Sequence, residues 1–273
     1  MTAAAQSQTP PLLALPDMFE SVFANRRPRA VAIHLVASAV LAGLASMMVF
    51  LVWYPRPFDA IAGGATLFLM LVGVDVVMGP ALTAVVANPA KPRPELRRDL
   101  VVIVLFQLTA MAYGLYTVAL ARPVFVSFEV DRFRVVAAAD VEPGALQDAP
   151  TTLRALPWTG PQFIAAVKPV NPGEQMRSLE LGLAGLDLSM IPANWREYAS
   201  QTEAVWRVSK PASTLLARYP QSASKVAAIA ARAGQQPQAL RWLPLMSRRA
   251  SWVALVAAPG SRVVGYLPLD GFF

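Results

Sequence analysis

Three long apolar stretches fill the first half of the chain, from Ala30 to Tyr54, from Ala60 to Ala87 and from Leu100 to Leu120. At about 1.5 Å of rise per residue, each is long enough as a helix to cross roughly 30 Å of hydrocarbon. The first far exceeds the roughly 7–15 residues of a signal-peptide core, so it reads as a span and not as a leader. Past Arg122 the pattern becomes alternating, with Val124, Val126, Phe128 and Val130, then Arg134 to Val141, which predicts two strands joined near Asp131. Helices are expected over Glu174 to Leu186 and Ser222 to Ala233, the latter stopped by Gly234. Trp252 to Ala257, a Pro259-Gly260-Ser261 turn and Val263 to Leu267 predict a closing hairpin. The expected fold is a membrane protein: a tail over 1–29, a three-helix transmembrane bundle over 30–121 (about 30–54, 60–87 and 100–120), and an α+β soluble domain with an antiparallel sheet over 122–273.

Composition agrees with lipid, since only 15% of residues are charged against about a quarter in ordinary globular chains, and 55% are hydrophobic. The bias is confined to the first half: residues 1–121 hold eight Lys or Arg and six Asp or Glu, and the remainder sixteen and eleven. The net charge of +7 does not point to nucleic acid, because the basic residues form no stripe interleaved with aromatics. They flank the apolar runs instead. Arg26, Arg27 and Arg29 precede the first, and Lys91, Arg93, Arg97 and Arg98 separate the second from the third, whereas Arg56 stands alone in the first loop. By the positive-inside rule the N-terminus and second loop are cytoplasmic, and the domain over 122–273 is periplasmic. Trp53, Tyr54, Tyr113 and Tyr116 are placed for an interfacial aromatic belt. A short amphipathic piece is expected around Leu12 to Phe23.

Asp75 is the most informative position, because a carboxylate in hydrocarbon costs at least about 2.5–3.5 kcal/mol and calls for a partner. Gln107 falls at a comparable depth on the third helix, within reach of a hydrogen bond. Asp75, Gln107 and the nearby Thr83 and Thr109 read either as polar glue inside the bundle or as a surface facing a client transmembrane segment. A proton path is the weaker third reading, since no second intramembrane carboxylate is present. Gly63, Gly64, Gly73 and Gly79, with Pro80 interrupting the hydrogen-bond ladder, mark the second helix as closely packed or as a groove for a partner helix. His34, the one histidine, reads as a hydrogen-bonding group near the cytoplasmic interface. Cysteine is absent, which excludes disulfides, a thiolate nucleophile and a Cys-based metal site. No GxSxG, HExxH, P-loop or dinucleotide fingerprint occurs, so no catalytic residue, cofactor or metal is assigned. Glu129, Asp131, Asp140 and Glu142 read as solvated faces, and the five Trp after residue 122 as core or loop anchors.

Several short pieces carry a resemblance: Leu51-Val-Trp-Tyr-Pro55, Leu71-Val-Gly-Val-Asp-Val-Val-Met-Gly-Pro-Ala-Leu-Thr83, Gln107 with Tyr113-Gly-Leu-Tyr-Thr117, Arg122-Pro-Val124 and Asp131-Arg-Phe133. In this order, over about residues 30–140, they resemble the type IV pilin accessory proteins of the TfpX/TfpZ (FimB-like) family. More loosely, the likeness continues through Leu156-Pro-Trp158 and Trp242-Leu-Pro-Leu245. The resemblance implies a non-enzymatic accessory of the bacterial inner membrane, encoded beside a major type IV pilin, that promotes or adjusts pilus assembly. Its implied partners are the lipid bilayer and that pilin, met through the pilin's transmembrane helix and its head domain; the oligomeric state stays open. Pilins of this class resemble one another in carrying a processed N-terminal amine and a glutamate near the cytoplasmic face. The alternative function is a receptor whose outer domain senses an envelope ligand, although the cytoplasmic parts are too short for an output domain.

Overall fold

The computed structural model describes residues 26–86 and 91–273. Helix α1 spans Arg26–Met47 and widens into a π-helical turn, Met48–Trp53. A short helix, α2 (Phe58–Ile61), precedes α3 (Gly64–Val86) and α4 (Arg93–Leu120). Three apolar helical stretches, Pro28–Trp53, Gly64–Val86 and Pro94–Leu120, have the length and composition to cross a membrane. The amphipathic piece expected around Leu12 to Phe23, and most of the tail over 1–29, lie outside the described residues.

The chain forms two compact units. One contains the helical segments up to Gly43 and from Leu71 to Ala112; the other contains Leu44–Met70 and Tyr113–Phe273. The second unit is built on one mixed eight-stranded sheet: β1 (Pro123–Glu129), β2 (Arg132–Ala137), β3 (Gln162–Ala166), β4 (Trp195–Glu197), β5 (Lys210–Pro211), β6 (Arg241–Met246), β7 (Ser251–Ala257) and β8 (Arg262–Leu267), ordered β4-β3-β1-β2-β6-β7-β8 with β5 on β6. The expected antiparallel sheet is corrected. The β1–β2 and β7–β8 hairpins are antiparallel as their tight turns require, but β1 pairs with β3, and β2 with β6, in parallel. Both parallel partners return only after long excursions through turns and helices, and alternation along a strand carries no information about strand direction.

Both faces of the sheet are covered. Every residue of β1 is buried. Beyond β3 come α5 (Pro172–Leu183), α6 (Thr202–Val208), α7 (Ala212–Arg218) and α8 (Ala223–Arg232). Helix α8 turns Val226, Ile229 and Ala230 inward at helical spacing against Trp242, Val253 and Leu255, and Gly234, at φ 67°, lies just beyond its end. On the opposite face, Leu243, Leu245, Ala254 and Val256 join Val126, Phe133 and Val205.

That second cluster also contains Phe58 and Ile61, so the first interhelical loop is part of the sheet's core. Phe58 meets Tyr266 edge to face at 5.4 Å, Trp53 meets Trp158 at 5.6 Å, and the Gly160 amide donates to the Val52 carbonyl at 2.7 Å. Trp53 and Tyr54 are therefore buried within the protein, the Tyr54 hydroxyl donating to the Val118 carbonyl at 3.0 Å. Tyr113 and Tyr116 are exposed.

Two of the four acids expected on solvated faces are buried. Glu129 accepts from Arg134 at 3.0 Å and from the Ser189 amide at 3.3 Å, while Arg134 also reaches Asp187 at 2.8 Å. Asp140 is held by the Ala137 amide and by Arg248. Each acid sits where a strand ends and the chain folds back, so the turn, not the strand's alternation, decides its exposure. Burial lifts the Asp187 carboxyl above its ordinary range, against the pull of Arg134.

Candidate functional site

The site lies in the first unit, on the segments of α1, α3 and α4 it contains. On α3, Asp75, Gly79 and Thr83 recur every fourth residue and form one buried stripe, whereas Val74, Val77, Met78, Leu82 and Val85 are exposed. In an isotropically apolar helix only polarity and small size distinguish a face, and this stripe has both.

Gly79 lets α4 approach closely: the Gln107 amide occupies the space a Cβ at position 79 would need. From there Gln107 Nε2 donates to the main-chain carbonyl of Asp75 at 3.0 Å. The next rung of the helix ladder is missing, because Pro80 has no N–H for the carbonyl of Val76. With its nitrogen donating, Gln107 must accept through Oε1, and it does so from His34 Nε2 at 2.5 Å. His34 Nδ1 then accepts from the Thr83 hydroxyl at 2.7 Å. With the Nε2–H tautomer of His34, every hydrogen bond of the chain Thr83–His34–Gln107–Asp75 has a donor and an acceptor, and the chain links all three helices. Gly79→Val is expected to push Gln107 off this carbonyl and cost about 1–3 kcal/mol, read as a lower unfolding midpoint of the detergent-solubilised protein.

The Asp75 side chain takes no part in that network. It is 6% exposed, its Oδ2 has no hydrogen-bond partner among the described residues, and no cation forms an ion pair with it there. It lines a cavity of about 420 Å³ bounded by Ile33, Ser38 and Leu41 of α1 and by Val104, Leu108 and Met111 of α4. A carboxylate with a free oxygen in the wall of a mainly apolar groove, lined also by His34, Ser38 and Gln107, can take a cation or a hydrogen-bond donor carried by another apolar segment. No group of three His, Asp or Glu able to hold a metal occurs among the described residues.

Of the residues singled out in the sequence, Asp75, Gln107, Gly79 and Pro80 come together. Gly73 has open space around its α-carbon, while Gly63 and Gly64 lie in the other unit, beneath the Arg249 side chain and the Tyr54 ring respectively. Thr109 donates to the carbonyl of Leu105 in its own helix at 2.9 Å. The role of His34 as the bridge was not legible, although three polar residues at similar depth on three apolar helices were its available signal. Ser38, which lines the cavity beside His34, Asp75 and Gln107, gave no signal in the sequence.

A sequence profile described as Fimbrial assembly protein FimB matches residues 23–63. The fimbrial assembly protein of serogroup I from Dichelobacter nodosus is 32% identical over 241 residues, covering 88% of this chain and 94% of the relative. The chain belongs to the fimbrial assembly protein family. The serogroup E1 member from the same organism is likewise 32% identical, over 244 residues with the same shares covered. The member from serogroups C1 and C2 is 41% identical over 109 residues, 40% of this chain and 83% of its own length. No solved structure matches the chain.

Proposed function

We propose that this fimbrial assembly protein is a non-enzymatic accessory of the bacterial inner membrane, of the TfpX/TfpZ type, that holds the major type IV pilin by its apolar helix during pilus assembly. Its N-terminus over 1–29 is cytoplasmic, 30–121 crosses the membrane three times, and 122–273 is a periplasmic domain that meets the pilin head. The observation that carries this reading is the Asp75 carboxylate, buried in a candidate span with an unpartnered oxygen and lining a groove between α1 and α4. The Arg and Lys flanks support an orientation with Asp75 in the cytoplasmic half of the bilayer, the half in which a pilin carries its N-terminal amine and glutamate. Asp75 pairs with the amine or, when protonated, donates to the glutamate. The Thr83–His34–Gln107 network keeps the groove walls in register, and Gly79 and Pro80 allow α4 to approach.

Photo-crosslinking residues placed at Ile33 and Leu108, inside the groove, are expected to capture the pilin helix in cells, whereas one at the exposed Val77, outside the lining, is not. Capture that is equal at all three positions, or absent from the two groove positions, would sink the proposal.

A further inference from the structure

A second cavity, of about 320 Å³, lies wholly within the unit that contains the sheet. Leu67 from the first turn of α3, Leu120 from the last residue of α4, and Val135 and Ala137 of β2 give it apolar walls. Its rim is the turn between β6 and β7, which presents Arg248 and Arg249.

This turn is fixed in place. Ser247 Oγ donates to the Ile61 carbonyl at 2.7 Å and accepts from the amides of Arg249 and Ala250 at 3.3 and 3.1 Å. The stem of Arg249 runs over Gly63, filling the space a Cβ would occupy, and Gly63 is itself held at φ 73°, where side chains are strained. Arg248 is neutralised by Asp140, whose carboxylate is 1% exposed. Arg249 is exposed and forms no ion pair with any described residue, so the rim carries one uncompensated positive charge.

The geometry points to a binding site for one anionic phospholipid in the leaflet on the sheet's side: Arg249, flanked by Arg248, takes the phosphate, and Leu67, Leu120 and Val135 cover its first methylenes. Because α3 and α4 both have the length to cross a bilayer, their ends beside the sheet fall where hydrocarbon gives way to headgroups. A cavity there that is apolar within and cationic at its rim matches an amphiphile of opposite charge. The guanidinium fork fits phosphate oxygens, and a headgroup without an ammonium leaves the rim neutral. The volume, at the low end of the roughly 300–1,000 Å³ of small-ligand sites, accepts a headgroup with the start of its chains and not a whole lipid. The inference is independent of the pilin reading and rests only on the helices crossing a bilayer.

The test is native mass spectrometry of the full chain in detergent, titrated with phosphatidylglycerol or phosphatidylcholine. One phosphatidylglycerol is expected to survive activation that strips phosphatidylcholine. Arg249→Ala is expected to lower its retention about five- to tenfold, and Arg249→Lys to lose less. Leu67→Trp, which fills the apolar part without touching the rim, should lower it too while the unfolding midpoint stays near wild type. Equal retention of the two lipids, or wild-type retention by both Arg249→Ala and Leu67→Trp, would overturn the assignment. Displacement of the lipid by glycerol 3-phosphate at equal concentration would overturn it in favour of a soluble phosphate, and a surviving peptide adduct without lipid in favour of a polypeptide.

Discussion

Replacing Asp75 by alanine is expected to reduce surface piliation by about tenfold or more while the protein remains inserted and folded. The two halves of this result come from the same atoms. Within the protein the Asp75 carboxylate has an orphaned Oδ2 and no ion pair among the described residues, so its removal breaks no bond of that network and relieves a desolvation cost of about 2.5–3.5 kcal/mol. Toward a client it offers a charge-assisted hydrogen bond of about 1.5–3 kcal/mol, equivalent to roughly ten- to a hundredfold in affinity. Gln107→Ala separates this role from structure: it frees the Asp75 carbonyl and His34 together, and should lower both stability and piliation. Asp75→Asn separates charge from hydrogen bonding, because asparagine keeps a donor and an acceptor of the same shape. Sheared-fibre yield by immunoblot, normalised to cellular pilin, reads all three; normal fibre yield from Asp75→Ala would remove the basis for a recognition role.

Glu129→Ala is expected to destabilise the sheet domain by about 3 kcal/mol, the lower end for breaking a buried ion pair, because Arg134 keeps one remaining contact. The Arg134 side chain is 12% exposed and Glu129 9%, whereas the surviving partner Asp187 is 41% exposed and shares its charge with water. Removing Glu129 also strands the Ser189 amide. At about 2–4 °C per kcal/mol for a domain of this size, the unfolding midpoint of the full chain should fall by roughly 6–12 °C, followed by tryptophan fluorescence. The paired replacement Glu129→Leu with Arg134→Met should recover most of the loss, because no unpaired charge then remains in the interior. A midpoint unchanged by Glu129→Ala would mean that the pair is solvated in practice.

What the sequence made legible divides along the range of the interactions concerned. The β1–β2 and β7–β8 hairpins could be read from alternation and turn residues because their partners are chain neighbours. Strand β6 was hidden by Pro244, a residue that ordinarily argues against a central strand, and β3 by the proline-rich surroundings that make the whole of Pro150 to Pro172 read as loop. The apolar spans announce themselves through length alone, yet length does not say which face is inward. For that reason Asp75, Gln107 and Gly79 could be named as a set, but the target of the Gln107 amide, a main-chain carbonyl and not the carboxylate, could not. The orphaned oxygen that makes Asp75 a recognition candidate is visible only in three dimensions. Phe58 and Ile61 gave no signal as core residues of the sheet, since Phe58 falls in a short loop expected to face solvent and Ile61 in the start of the second apolar run, and neither place suggests the interior of a later domain.

That placement ties two events of biosynthesis together. Phe58 and Ile61 leave the ribosome with the first helical pair, and the strands that enclose them, including Ala254 and Val256, are among the last to be made. Until then the loop waits with its apolar residues uncovered. A chain whose first pair inserted the wrong way round would leave these two side chains across the bilayer from the strands that need them, and the sheet would close over a void. The sheet domain, though made much later, therefore needs the connection between the first two long helices on its own side in order to close its core.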